Sequence, residues 1–186
     1  VVVQSNINTF GSLAMAGIGT YTKIEGFAFL PITSFMMALT TFVSQNRGAR
    51  EFDRARKGAR FGLTCSVSLA EIIGLLIALF ASPLMRLFAN DPQVIQYGVE
   101  RAHYATILFF LLAYSHGVSA VLRGVGKSII PMVVMLVCWC FVRVTLLTAL
   151  NMMFHNIVFV YMIYPFTWSL SSVVFFLYYR KINWQE

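Results

Sequence analysis

Residues 26–46 read GFAFLPITSFMMALTTFVSQN and residues 47–60 read RGAREFDRARKGAR. The first stretch has no formal charge. At about 1.5 Å of helix per residue it is long enough to cross a hydrocarbon core of about 30 Å. The second carries Arg47, Arg50, Arg54, Arg56, Lys57 and Arg60. An uncharged span ending in a dense basic loop is the pattern of a membrane helix stopped at the inner face of a bilayer.

Composition agrees. Of 186 residues, 59% are hydrophobic and 11% charged, whereas a soluble domain carries about 25% charged residues. So little charge cannot clothe a water-facing surface. Disorder, which needs low hydrophobicity and high charge, is excluded more firmly. The net charge of +7 would suggest nucleic acid in a soluble protein. Here the basic residues lie between apolar stretches and no nucleic-acid-binding motif accompanies them, so no such partner is expected.

Working outward, five apolar segments run over about 13–45, 61–87, 94–122, 129–151 and 157–179. None alternates polar and apolar as a barrel strand would. Residues 1–9 are too short to span and are expected to be the end of a helix that begins upstream. The fold class predicted is all-α: a polytopic transmembrane helical bundle of five full spans plus a partial first helix, forming one domain over 1–186. Asn90-Asp91-Pro92 supplies a cap and a helix-starting proline. Gly124-Val125-Gly126-Lys127-Ser128 marks a turn. Pro31 and Pro165 fall inside helices, where each frees a carbonyl and invites a kink, and Pro31 is a hinge candidate.

Ten of the 14 basic residues fall on one side if the spans alternate: the six of the 47–60 loop, Arg123, Lys127, Arg180 and Lys181. The short loops opposite, 90–93 and 151–156, hold none. The basic loop and the C-terminus are therefore expected in the cytoplasm. Tyr178, Tyr179 and Trp184 would form the inner aromatic belt, with Tyr161 and Tyr164 toward the outer one.

Motifs for soluble chemistry are weak. Gly126-Lys127-Ser128 lacks the earlier glycine and the strand of a phosphate-binding loop. Cys65, Cys138 and Cys140 lie inside apolar runs and His103, His116 and His155 are scattered, so neither a disulfide framework nor a metal site is expected. No nucleophile–base grouping has convergent spacing, and the chain does not read as an enzyme.

Intramembrane charge is the informative part, because a charge at mid-bilayer costs about 2.5–3.5 kcal/mol and must face protein or water. Glu71 and Arg143 fall at nearly one depth, which makes them candidates for an ion pair or for a proton or cation relay. Thr64, Ser68, Glu71, Gly74, Ala78 and Ser82 recur at helical steps as a stripe suited to close contact. Glu25 is a coupling-ion candidate, with a pair to Arg101 as its competitor. Lys23 and Arg101 are expected to snorkel to the interface. Gln4, Asn6 and Asn8 form a polar run, and Gln4 and Asn8 are cavity candidates together with Phe29, Phe35 and Met36.

Several stretches resemble a known family. Lys23-Ile24-Glu25-Gly26-Phe27-Ala28-Phe29-Leu30-Pro31, then Thr41-Phe42-Val43-Ser44-Gln45-Asn46-Arg47-Gly48-Ala49 and Asp53-Arg54-Ala55-Arg56-Lys57-Gly58, are similar to the eighth helix and following loop of MATE (multidrug and toxic compound extrusion) transporters. Leu122-Arg123-Gly124-Val125-Gly126-Lys127 with Pro131 resembles that family's turn between helices ten and eleven, and Cys138-Trp139-Cys140-Phe141-Val142-Arg143-Val144 its helix eleven. The resemblance implies the C-terminal lobe of a two-lobed, twelve-helix transporter of the plasma membrane, from the end of helix seven to helix twelve, with the N-terminal lobe of the same chain as its partner. It implies export of small amphiphiles and organic cations in exchange for Na⁺ or H⁺, with no other cofactor. Glu25 is an approximate match to acids of helix eight. Segment three has Glu100 at its start and no deeper acid, so a helix-ten carboxylate is not carried over. Phe27, Phe29, Phe35, Met36 and Met37 offer adaptable surface for apolar cations. A flippase exporting a lipid-linked glycan precursor is the alternative. It would show a basic cavity for pyrophosphate, whereas the only deep cation in the sequence reading is Arg143.

Overall fold

The computed structural model describes residues 2–184. Among these the chain is helical throughout: α1 Val2–Asn8, α2 Ser12–Gly48, α3 Phe52–Leu79, α4 Ala81–Arg86, α5 Pro92–Thr106, α6 Phe109–Gly124, α7 Ile129–Met135, a π-helical segment Leu136–Val142, α8 Arg143–Phe154 and α9 Ile157–Arg180. Four stretches are long and apolar enough to cross a membrane: α2, α3, the continuous Ile129–Phe154 and α9. The bent pair α5–α6 makes a fifth if taken as one span.

Local chemistry sets the ends. Asp91 caps α5 by accepting from the Gln93 and Val94 N–H groups at 2.8 and 3.3 Å, with Pro92 at the first helical position. Asn156 caps α9 by accepting from Val158 N–H at 3.0 Å. At the other end of the bundle the Arg47 guanidinium donates to the Val125 carbonyl and ties α2 to the turn after α6. Gly126 takes φ +82° in that turn, a conformation open to glycine at little cost.

Helix α2 is the central post, packed against α3, α5 and α6, while α9 closes the bundle against α5, α6 and α8. Two of the three core clusters among the described residues hold α2 to its neighbours. One joins Tyr21, Ile24, Ala28 and Ile32 to Ala102, Phe109, Leu112 and Trp168. The other joins Leu39 and Val43 to Leu63, Val121, Leu122 and Phe175. Outside them Phe27, Met37, Phe61, Leu79, Phe141 and Met152 are exposed, as lipid-facing side chains of a membrane bundle must be.

Three expected spans are not simple helices. The segment 61–87 is interrupted at Phe80, where α3 gives way to α4. The segment 94–122 is broken at Ile107-Leu108 and bent by 55°. A break in lipid strands backbone groups unless protein satisfies them, and α3 supplies that here. Glu71 Oε2 accepts the Phe110 N–H at 3.0 Å. One turn on, a Cβ at Gly74 would collide with the Thr106 carbonyl, so the missing side chain makes room for it. The segment 129–151 carries the π-helical turns. The face that α3 buries runs through Ala59, Leu63, Ser66, Ala70, Gly74 and Ile77. Thr64 and Ser68 of the expected stripe are exposed.

Candidate functional site

The site is built by helical spacing. Thr22, Glu25, Gly26 and Phe29 follow the three- and four-residue steps of one face of α2. Tyr164 and Trp168 are four apart on α9 and share a face, and the π-helical turns carry Trp139 into α8 at Arg143, four residues on. With Leu112 these residues line an open-sided hollow of about 250 Å³.

Arg143 holds its place through Thr167, donating from Nε and Nη2 to Oγ1 at 3.2 and 2.7 Å. Its guanidinium carbon lies 5.2 Å from the centre of the Trp139 ring and 4.5 Å from that of Tyr164. Trp139 is fixed in turn. Its Nε1 donates to Ser171 Oγ at 3.0 Å, and Ser171 belongs to a buried cluster with Ser115 and Ser172. His116 packs edge-on against Phe29 and Trp139, at 4.9 and 5.0 Å between ring centres.

Arg101 departs from expectation. It does not snorkel: it is 2% exposed, donates to the Tyr161 carbonyl at 2.9 Å and stacks 4.0 Å from the Tyr164 ring centre. Tyr161 and Tyr164 are likewise not belt residues. Tyr161 is fully buried and Tyr164 lies between the hollow and Arg101. The cause is shared, because a buried guanidinium must find a carbonyl and aromatic faces to replace water.

Glu25 lies in the electrostatic field of both Arg101 and Arg143. The expected Glu71–Arg143 pair does not form, since Glu71 accepts from Phe110 N–H and Arg143 donates to Thr167. Of the candidates read from sequence, Glu25, Arg143 and Phe29 come together in the hollow. Met36 packs in both core clusters, and Phe35 is half-buried on α2. Gln4 and Asn8 bond to each other at 3.4 Å on the exposed face of α1. Asn6 turns inward there, donating to Thr148 and accepting from Asn151. α2 continues through Pro31 without a break. Sequence reasoning set Arg101 beside Glu25 but missed Trp139, Tyr164 and Trp168 as neighbours of the site. Their signal was present as four-residue aromatic and aromatic–arginine spacing inside spans.

The MatE family profile matches residues 1–149, and the chain belongs to that family. A "Probable multidrug resistance protein NorM" of Thermotoga maritima is 29% identical over 67% of this chain and 27% of its own length. A "Probable multidrug resistance protein YoeA" of Bacillus subtilis is 26% identical over 100% of this chain and 40% of its own. An "FAD transporter" of Shewanella oneidensis is 30% identical over 52% and 21%. The chain thus spans well under half the length of these relatives. A crystal structure of MATE in complex with MaD3S superimposes with a TM-score of 0.86 at 14% identity, covering 98% of this chain and 44% of that one. A MOP superfamily transporter from Pyrococcus furiosus gives 0.84 at 15%, covering 94% and 38%. These likenesses show the fold. With the apolar spans, family membership makes the chain an integral membrane protein.

Proposed function

We propose that this chain forms the C-terminal lobe of an antiporter that exports drugs and other small amphiphiles, organic cations among them, in exchange for Na⁺ or H⁺. The two lobes would alternate access to a site between them, with Pro31 offering a place for α2 to bend. The basic loop and C-terminus face the cytoplasm in this reading, and no bond-making chemistry is involved. The observation that carries it is the placing of Glu25 in a hollow walled by Phe29, Trp139, Tyr164 and Trp168. Aromatic faces attract apolar cations. A single carboxylate that takes either a cationic substrate or the coupling ion makes the two compete, and competition is what exchange requires. Arg101 and Arg143 act on Glu25 through their field, each donating elsewhere, to the Tyr161 carbonyl and to Thr167. Glu71 acts through the fold, by holding the start of α6.

A second reading has its own support. Sequence offered Arg143 as the deep cation, and Arg101 stands beside it across Tyr164. Two guanidiniums suit a phosphate-bearing cargo, as in a flippase for a lipid-linked glycan precursor, and one relative bears the name of an FAD transporter.

The test is tolerance of an efflux-deficient cell expressing the whole protein. Resistance to ethidium-like cations should rise and should fall back with Glu25→Gln. Unchanged tolerance across a broad drug panel would overturn drug export. Loss of an anionic cargo with Arg143→Gln, while Glu25→Gln is silent, would favour the second reading.

A further inference from the structure

Another hollow of the described residues is more enclosed than the one around Glu25. It lies at the opposite, basic end of the bundle, where the start of α3 meets the end of α9, and holds about 450 Å³. Asp53, Arg56 and Arg60 recur on one face of α3 and line it, and Arg180 closes it from α9. Tyr179 and Trp184 give it an aromatic wall, edge to face at 6.4 Å between ring centres. Its lining thus carries three arginines against one aspartate.

The next residues into the membrane are apolar and exposed. Phe61, directly after Arg60, is 73% exposed, and Phe176, one turn before Arg180, is 48% exposed. The Arg180 guanidinium carbon sits 5.6 Å over the Phe176 ring. A positive hollow at the level where two spans leave the bilayer, with acyl-accessible aromatic surface just below, matches a ligand that is anionic at one end and a hydrocarbon chain at the other. The second basic hollow, beside Arg47, Arg50 and Arg123, lacks this character, because Arg47 is engaged with the Val125 carbonyl.

We propose that the hollow between α3 and α9 binds the phosphodiester headgroup of an anionic phospholipid, with Arg56, Arg60 and Arg180 on the phosphate and Trp184 against the glycerol and upper acyl region. The site needs only that this end of the bundle lie at headgroup level. It is independent of the exported cargo and of which leaflet is involved.

The test uses the whole protein in neutral detergent, titrated with phosphatidylglycerol, phosphatidylcholine or inorganic phosphate, with bound lipid counted by native mass spectrometry. Phosphatidylglycerol should bind at least tenfold more tightly than phosphatidylcholine. That preference should vanish in R56Q/R60Q/R180Q and persist in R50Q, which alters the other basic hollow. Equal binding of phosphatidylcholine, equal loss in R50Q, or displacement of the lipid by millimolar inorganic phosphate would overturn the proposal. Should the triple variant fail to fold, phosphatidylglycerol brominated high on its acyl chains is added to the unaltered protein. Quenching of tryptophan fluorescence that is lost in Trp184→Phe supports the site, and quenching that survives that change overturns it.

Discussion

The Arg101 guanidinium carbon lies 4.0 Å from the centre of the Tyr164 ring, and Arg143 approaches the same ring at 4.5 Å. One phenol ring thus separates α5 from α8 and neighbours two cations inside the membrane. Arg101 also donates to the Tyr161 carbonyl. A charged hydrogen bond contributes about 1.5–3 kcal/mol and a desolvated cation–π contact about 0.5–2 kcal/mol. Arg101→Ala should therefore destabilise the purified protein by about 2–5 kcal/mol in thermal or denaturant unfolding. Tyr164→Phe, which keeps the ring, should cost under about 1 kcal/mol, and Tyr164→Leu clearly more.

The Glu71–Phe110 bond makes a separate prediction. Glu71→Gln retains an oxygen acceptor and should be mild. Glu71→Leu leaves the Phe110 N–H unpaired at the start of α6 and should cost about 1–3 kcal/mol. Combined with Arg143→Gln, the losses should add to within about 0.5 kcal/mol, because the residues have separate partners. A strongly non-additive cycle would contradict the geometry.

Two glycines on α2 provide a contrast. A Cβ at Gly17 would sit 2.6 Å from Tyr97 Cβ and 2.7 Å from the Val94 carbonyl oxygen, both on α5, whereas nothing lies within 4 Å of one at Gly19. Gly17→Ala must push α5 away and should cost about 1–3 kcal/mol. Gly19→Ala should be neutral, or stabilising by up to about 1 kcal/mol through helix propensity. Melting temperatures of the two variants, compared side by side, decide this.

Orientation is open to chemical labelling. With Cys65, Cys138 and Cys140 replaced, Lys57→Cys should react with an impermeant maleimide in inside-out vesicles and not in intact cells. Asn90→Cys, at the opposite loop, should do the reverse. The opposite pattern would invert the topology drawn from the basic loops.

What sequence conveyed well was what a bilayer enforces one span at a time: the uncharged runs, the basic loops and the cap at Asn90-Asp91-Pro92. What it conveyed poorly depends on neighbours. The break at Ile107-Leu108 is tolerable because Glu71 and Gly74 of another helix receive it, and nothing within 94–122 announces that. Arg101 looked free to snorkel because its acceptor is a backbone carbonyl some 60 residues later. Glu71 and Arg143 looked paired because equal depth was mistaken for equal azimuth.

The π-helical turns Leu136–Val142 give that azimuth an evolutionary dimension. A span of this kind carries slack in its winding. Deleting a single residue there would tighten the turns to ordinary helix, and the winding would absorb the loss, so that α8 keeps nearly its present azimuth and neither loop changes. Arg143 would then stay beside Thr167 and go on facing the hollow. A one-residue deletion, ordinarily disruptive in a membrane helix, thus becomes at this place a change that the winding takes up while the site, every loop and every other span stay where they were.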